Sequence, residues 1–143
     1  MTRAVREKRV WRVLVPLDGS RTAHRAIRSL VNRAKREGPI EVVLVGLAPM
    51  LARMLPALLA SLLFAPQGSA LDPLRDARAL LAMHGIPYRV ALASGEPGRA
   101  IAAVAMAHRA DEVVIGPIGD ATAGETLARR VAARVGARVT FVV

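Results

Sequence analysis

Val13-Leu14-Val15-Pro16-Leu17-Asp18-Gly19-Ser20 is the stretch that decides the fold. A short unbroken apolar run is what a parallel strand covered by helices on both faces requires, and small polar residues follow where the backbone must turn into a helix. A second passage repeats the pattern: Asp111-Glu112-Val113-Val114-Ile115-Gly116-Pro117-Ile118-Gly119. In an open α/β sheet, ligands bind outside the carboxyl ends of the strands, where the strand order reverses. Both passages end at such a place, so function is to be sought there.

Outward from these two strands, the apolar period switches regularly between strand and helix, which is the βα signature. After the first strand, at about residues 10 to 16, a helix is expected from Ser20 to about Arg36, with Ala23, Ala26, Ile27, Leu30 and Val31 at helical spacing. Gly38 and Pro39 stop it, and Ile40 to Leu47 forms a second strand. A helix from Asp72 to His84 carries Asp72 as cap, Pro73 at its first position and Gly85 past its end. A third strand spans Tyr88 to Ala93, and Ser94-Gly95-Glu96-Pro97 turns the chain into a helix with Ile101, Val104, Ala105 and Ala107 on one face. Asp111 to Ile115 is the fourth strand. A last helix at about Gly124 to Val135 and a terminal strand from Arg138 to Val143 complete the chain.

The 143 residues, 53% of them hydrophobic, suit one domain with one sizeable core. The lack of cysteine excludes disulfides and thiolate chemistry. Residues 1–9 form a basic arm without the apolar core of a secretion signal, so the expected location is cytoplasmic. The net charge of +10 raises nucleic acid as a partner, since phosphate neutralisation dominates non-specific affinity. Against it, the basic residues are nearly all arginines scattered through the helices, and stacking partners amount to Trp11, Phe64, Tyr88 and Phe141. Solvated helix faces explain the charge better.

Residues 49 to 70 are a variable apolar insertion, with Met50 to Phe64 almost wholly apolar. Arg53 and Pro56 interrupt the run, which falls short of the roughly 20 uninterrupted apolar residues a bilayer requires. Three readings stand: a helix packed on the domain, a lid over the crevice, or a sticky face for a partner.

The opening Val-Leu-Val-Pro-Leu-Asp-Gly-Ser, the middle Ser94-Gly95-Glu96-Pro97 with Ile101 and Ala105, the strand ending in Gly116 with Gly119, and the closing Val139-Thr140-Phe141-Val142-Val143 together resemble the universal stress protein family. The match covers nearly the whole chain apart from the arm and residues 49 to 70. The resemblance implies an open five-stranded parallel sheet of order 3-2-1-4-5 with helices on both faces, a Rossmann-like arrangement of the adenine nucleotide alpha hydrolase-like class. It also implies a homodimer joined through the last strand by Val139, Phe141 and Val143, a role in stress response, and binding of ATP or another adenine nucleotide, with or without magnesium.

Asp18, at the end of the first strand, matches an aspartate that faces the nucleoside in ATP-binding relatives. Its carboxylate serves equally well as a cap for the helix that follows. Leu47 falls where relatives make an apolar contact with adenine. Gly116 and Gly119 form a G-x-x-G turn in which backbone amides approach a phosphate with no Cβ in the way. In nucleotide-binding relatives nine residues follow that pair before glycine and a hydroxyl residue. Here only Asp120-Ala121-Thr122-Ala123 precede Gly124, Glu125 and Thr126, so the phosphate loop is about five residues short. Thr126 is the candidate hydroxyl. Asp120 and Glu125 would repel a triphosphate unless a divalent ion intervenes, and Pro117 deletes a backbone donor. The nucleoside half of the site is thus better kept than the phosphate half.

For catalysis the sequence offers little. His24, His84 and His108 lie on three separate expected helices without a carboxylate at metal-ligand spacing, and no serine sits on a nucleophile elbow. A binding module is expected rather than an enzyme, with a ligand-free dimeric interaction module acting through residues 50–64 as the alternative.

Overall fold

Five strands and four helices alternate along the described chain: β1 (Trp11–Leu17), α1 (His24–Glu37), β2 (Ile40–Leu47), α2 (Arg75–Met83), β3 (Tyr88–Ala93), α3 (Pro97–Ala107), β4 (Glu112–Ile115), α4 (Ala123–Ala132) and β5 (Arg138–Phe141). A computed structural model describes residues 9–17, 24–47, 74–117 and 122–142. Asp18, Gly119, Val143 and the apolar 50–64 run therefore lie outside the described residues. The strands form one parallel sheet of order β3-β2-β1-β4-β5, as the family resemblance implied.

Period-two alternation divides the sheet between two cores. Val13, Val15 and Leu17 of β1 and Ile40, Val42 and Leu44 of β2 meet Ile27, Leu30 and Val31 of α1 and Ala77 and Leu81 of α2. Leu14, Val43, Val45, Val113 and Ile115 face the other way, onto Ile101 and Ala105 of α3 and Leu127 and Val131 of α4. Each central strand is thereby buried on both faces, which is why its sequence reads as a continuous apolar run rather than an alternating one.

Element ends follow local chemistry. β4 begins at Glu112 rather than Asp111, because the Asp111 carboxylate accepts the Arg12 backbone N–H at 2.9 Å while its own N–H donates to the Arg12 carbonyl at 2.8 Å. The Glu96 carboxylate caps α3, accepting from the Gly98 and Arg99 amides at 3.0 and 2.9 Å, with Pro97 at the first helical position. Those two amide bonds, that to Arg99 foremost, hold the Glu96 carboxyl below its ordinary value. The buried face of α3 is Gly98, Ala100, Ile101, Ala102 and Ala105, whereas Ala107 is exposed. Gly98 permits close helix packing: a Cβ there would lie 3.1 Å from the Cβ of Arg130 on α4.

α2 and α3 terminate in the same way. The Ile86 amide reaches back to the Leu81 carbonyl and the Ala110 amide to the Ala105 carbonyl, both at 2.9 Å, each across one left-handed residue. In α2 that residue is Gly85, at φ +65°, and in α3 it is Arg109, at φ +52°.

Candidate functional site

Register fixes what meets at the carboxyl edge of the sheet. Leu17 pairs with Gly46 of β2, and Leu14 pairs with Val113 of β4, so extending the ladder sets Gly116 beside Leu17. Strand order reverses between β1 and β4. Chain from β1 continues through α1 to β2 on one side, and chain from β4 continues through α4 to β5 on the other, the arrangement at which open α/β sheets place a ligand crevice. Two of the expected site residues, Gly116 and Leu47, stand on this edge. Gly116 is buried directly after β4. Leu47 is 5% exposed and packs into the core beneath α3 and α4, so it forms apolar floor rather than an open platform.

Thr126 is exposed in the first turn of α4, where its amide donates to the Thr122 carbonyl at 3.0 Å. Glu125, beside it, pairs with Arg129 at 2.8 Å across one helical turn. That pairing neutralises one of the two carboxylates that the shortened loop brings toward a phosphate. Gly124, in the same turn, is buried.

The three histidines stand at the ends of three different helices. His84 and His108 are the C-caps of α2 and α3, and His24 lies 3.9 Å from Asp76 on the surface between α1 and α2. Among the described residues, no three histidine, aspartate or glutamate side chains gather as a metal ion would require. No described helix is long and apolar enough to cross a membrane.

One polar cluster escaped the sequence reading. Glu112, inside the apolar run of β4, is fully buried, and its carboxylate accepts four hydrogen bonds. Arg33 of α1 donates two in a fork, at 2.7 and 2.8 Å, Trp11 Nε1 donates at 3.1 Å, and Thr140 Oγ1 donates at 2.9 Å. Arg33 Nε also reaches Glu37 at 2.8 Å. Burial pushes the Glu112 carboxyl up, but the bonds from Arg33, Thr140 and Trp11 outweigh it and hold the group below the ordinary glutamate value. The same pairing raises Arg33 above the usual arginine value. Arg33 is thus an exception to the solvated arginines. The available signal was a carboxylate within a buried strand, which demands a cation from a covering helix.

The fold and the crevice define an open α/β domain of the kind that receives a small ligand at a strand-order reversal. The profile of the universal stress protein family matches residues 11–143, and the chain belongs to that family. Among solved structures, it is similar to a universal stress protein in complex with cAMP, at 20% identity and a TM-score of 0.62 over 93% of this chain and 96% of that one. A universal stress protein family protein from Arabidopsis thaliana with AMP bound is similar at 13% identity and a TM-score of 0.66, covering 92% and 90% of the two chains. The universal stress protein from Archaeoglobus fulgidus in complex with dAMP is similar at 20% identity and a TM-score of 0.61, covering 92% and 96%. No curated protein matches the chain in sequence.

Proposed function

We propose that this protein is a regulatory, stress-linked binding module that takes an adenosine monophosphate, linear or cyclic, in the crevice between the carboxyl ends of β1 and β4. The observation that carries the reading is Gly116, buried at the end of β4 and level with Leu17, with no side chain between backbone and ligand. Asp18 and Gly119 complete the proposed site, and the amino end of α4, with Thr126, favours one phosphate. The short loop and the backbone donor missing at Pro117 disfavour a triphosphate. AMP, cAMP and dAMP in the three similar proteins support a monophosphate. Binding rather than catalysis is the proposed role, in the cytoplasm, where adenine nucleotides are available.

The test is the melting temperature with ATP, ADP, AMP and cyclic AMP, each with and without magnesium. A ligand at about a hundredfold excess over its dissociation constant adds about 2.7 kcal/mol to the native state. AMP and cyclic AMP should raise the transition without magnesium and at least as far as ATP does. No shift with any of the four would overturn the reading.

We also propose that two copies pair through β5. Its amides at Arg138 and Val142 donate toward β4, so by alternation those of Val139 and Phe141 face away from the sheet and are free to join a second strand.

A further inference from the structure

We propose that the cleft at the amino end of the sheet, opposite the nucleotide crevice, binds a small aromatic carboxylate. The cleft measures about 500 Å3, within the ordinary size of small-molecule sites, and lies between the start of β5, the start of β1 and the end of α1. Trp11, Pro39 and Ile40 supply its apolar wall, with Ile40 directly opposite Trp11 in the ladder. Trp11 is a fixed surface, because its indole N–H is spent on the buried Glu112. A planar ring stacks on such a face in an offset arrangement.

Three guanidinium groups line the cleft, and they differ in what they have left to offer. Arg33 is spent on Glu112 and Glu37, and the charge of Arg9 is paired with Asp111 at 2.6 Å through one nitrogen. Arg138 is opposite Glu112 in the β4–β5 ladder and shares the sheet face of Thr140, whose hydroxyl reaches Glu112. Among the described residues its guanidinium has no hydrogen-bond or ion-pair partner. One unpaired guanidinium matches one carboxylate in a two-point fork. Glu37 on the rim and Glu112 beneath disfavour a dianion such as phosphate. The ligand is therefore a monoanion with a flat apolar body, its carboxylate on Arg138 and its ring on Trp11.

Trp11 is the sole tryptophan of the chain, so its fluorescence reports on this cleft alone. The full chain would be titrated with benzoate, with benzyl alcohol and acetate as the ring-only and charge-only controls and inorganic phosphate as the dianion. The expected result is a saturable change with benzoate, a midpoint raised about tenfold or more for each of the other three, and a comparable weakening of benzoate binding in Arg138→Ala. Among the described residues Arg138 holds no side-chain partner, so the variant should keep its melting temperature, and it should keep its shift with AMP because the proposed nucleotide site lies at the other strand ends. No saturable change with benzoate, equal responses to benzoate and phosphate, or an undiminished response in Arg138→Ala would each overturn the proposal. None of these outcomes bears on the nucleotide site, which is read by its own thermal shift.

Discussion

Replacing Arg33 by methionine removes two of the four hydrogen bonds that the buried Glu112 carboxylate accepts, together with its counter-charge. Charge-assisted hydrogen bonds contribute about 1.5–3 kcal/mol each, so the two lost amount to about 3–6 kcal/mol. Breaking a buried pair by removing one partner costs about 3–5 kcal/mol by a separate route, and the partial exposure of Arg33 favours the lower end. A loss of about 3–4 kcal/mol should lower the melting temperature by about 10 °C in a chain of this size. The decisive comparison is the double variant Arg33→Met/Glu112→Gln, which is uncharged yet keeps an acceptor for the Trp11 indole. It should regain about 2 kcal/mol over Arg33→Met alone, measured by calorimetry or denaturant titration near neutral pH. A single variant within about 1 kcal/mol of the natural protein, or a double variant no better than the single, would refute the reasoning. The pH dependence gives a second check. Glu112 is held below its unfolded value, so its contribution is present above the ordinary carboxylate range and is lost as pH falls through the lower native value. An acid titration of stability should therefore lose one component in Glu112→Gln.

Arg109→Gly should stabilise the domain by about 0.5–1 kcal/mol in denaturant titration, because relief of a left-handed non-glycine residue exceeds the added chain entropy. The matching exchange at Gly85, Gly85→Ala, should destabilise by about 1 kcal/mol in the same assay. Gly98→Val should cost about 1–3 kcal/mol, since the branched side chain is forced against Arg130 of α4, and a melting curve reads it directly. Val139→Pro should convert a dimer to a monomer in a sizing measurement while keeping the β4–β5 ladder hydrogen bonds, because the amide it removes faces away from β4.

The fold was legible because each central strand must satisfy two cores at once. The strand at Ile40–Leu47 emerges as expected and β1 lies one residue later than expected, at Trp11–Leu17, and both read as apolar runs since helices on both faces leave no room for polar alternation. The ends were less legible, because tertiary bonds set them: Asp111 belongs to a clamp on Arg12 rather than to β4, and the last helix stops at Ala132. The candidate site was legible as a place, at Gly116 and Leu47, but not as a surface, since nothing in the sequence says that Leu47 turns into the core. Glu112 and Arg33 were missed for a related reason. Each looks ordinary alone, and only the register of β4 against β1, with α1 laid over both, makes a forked pair of them across 79 residues of chain.

That pair also bears on the crevice. The order reversal between β1 and β4 is the seam at which the proposed ligand site lies, and the described ladder across it pairs Val13 with Glu112 and Leu14 with Val113, near the amino end. At that end side chains reinforce the seam: Trp11 and Arg33 on Glu112, Arg9 and the Arg12 amide on Asp111, and Thr140 from the neighbouring strand. A seam tied there by charge and hydrogen bonds does not depend on side-chain ties at its carboxyl end. Gly116 can then remain without a side chain, as the proposed phosphate contact requires. Loosening the amino end should therefore be felt at the crevice as lower ligand affinity. In Arg33→Met, the AMP-induced thermal shift should shrink more than in Arg109→Gly, which leaves the seam untouched.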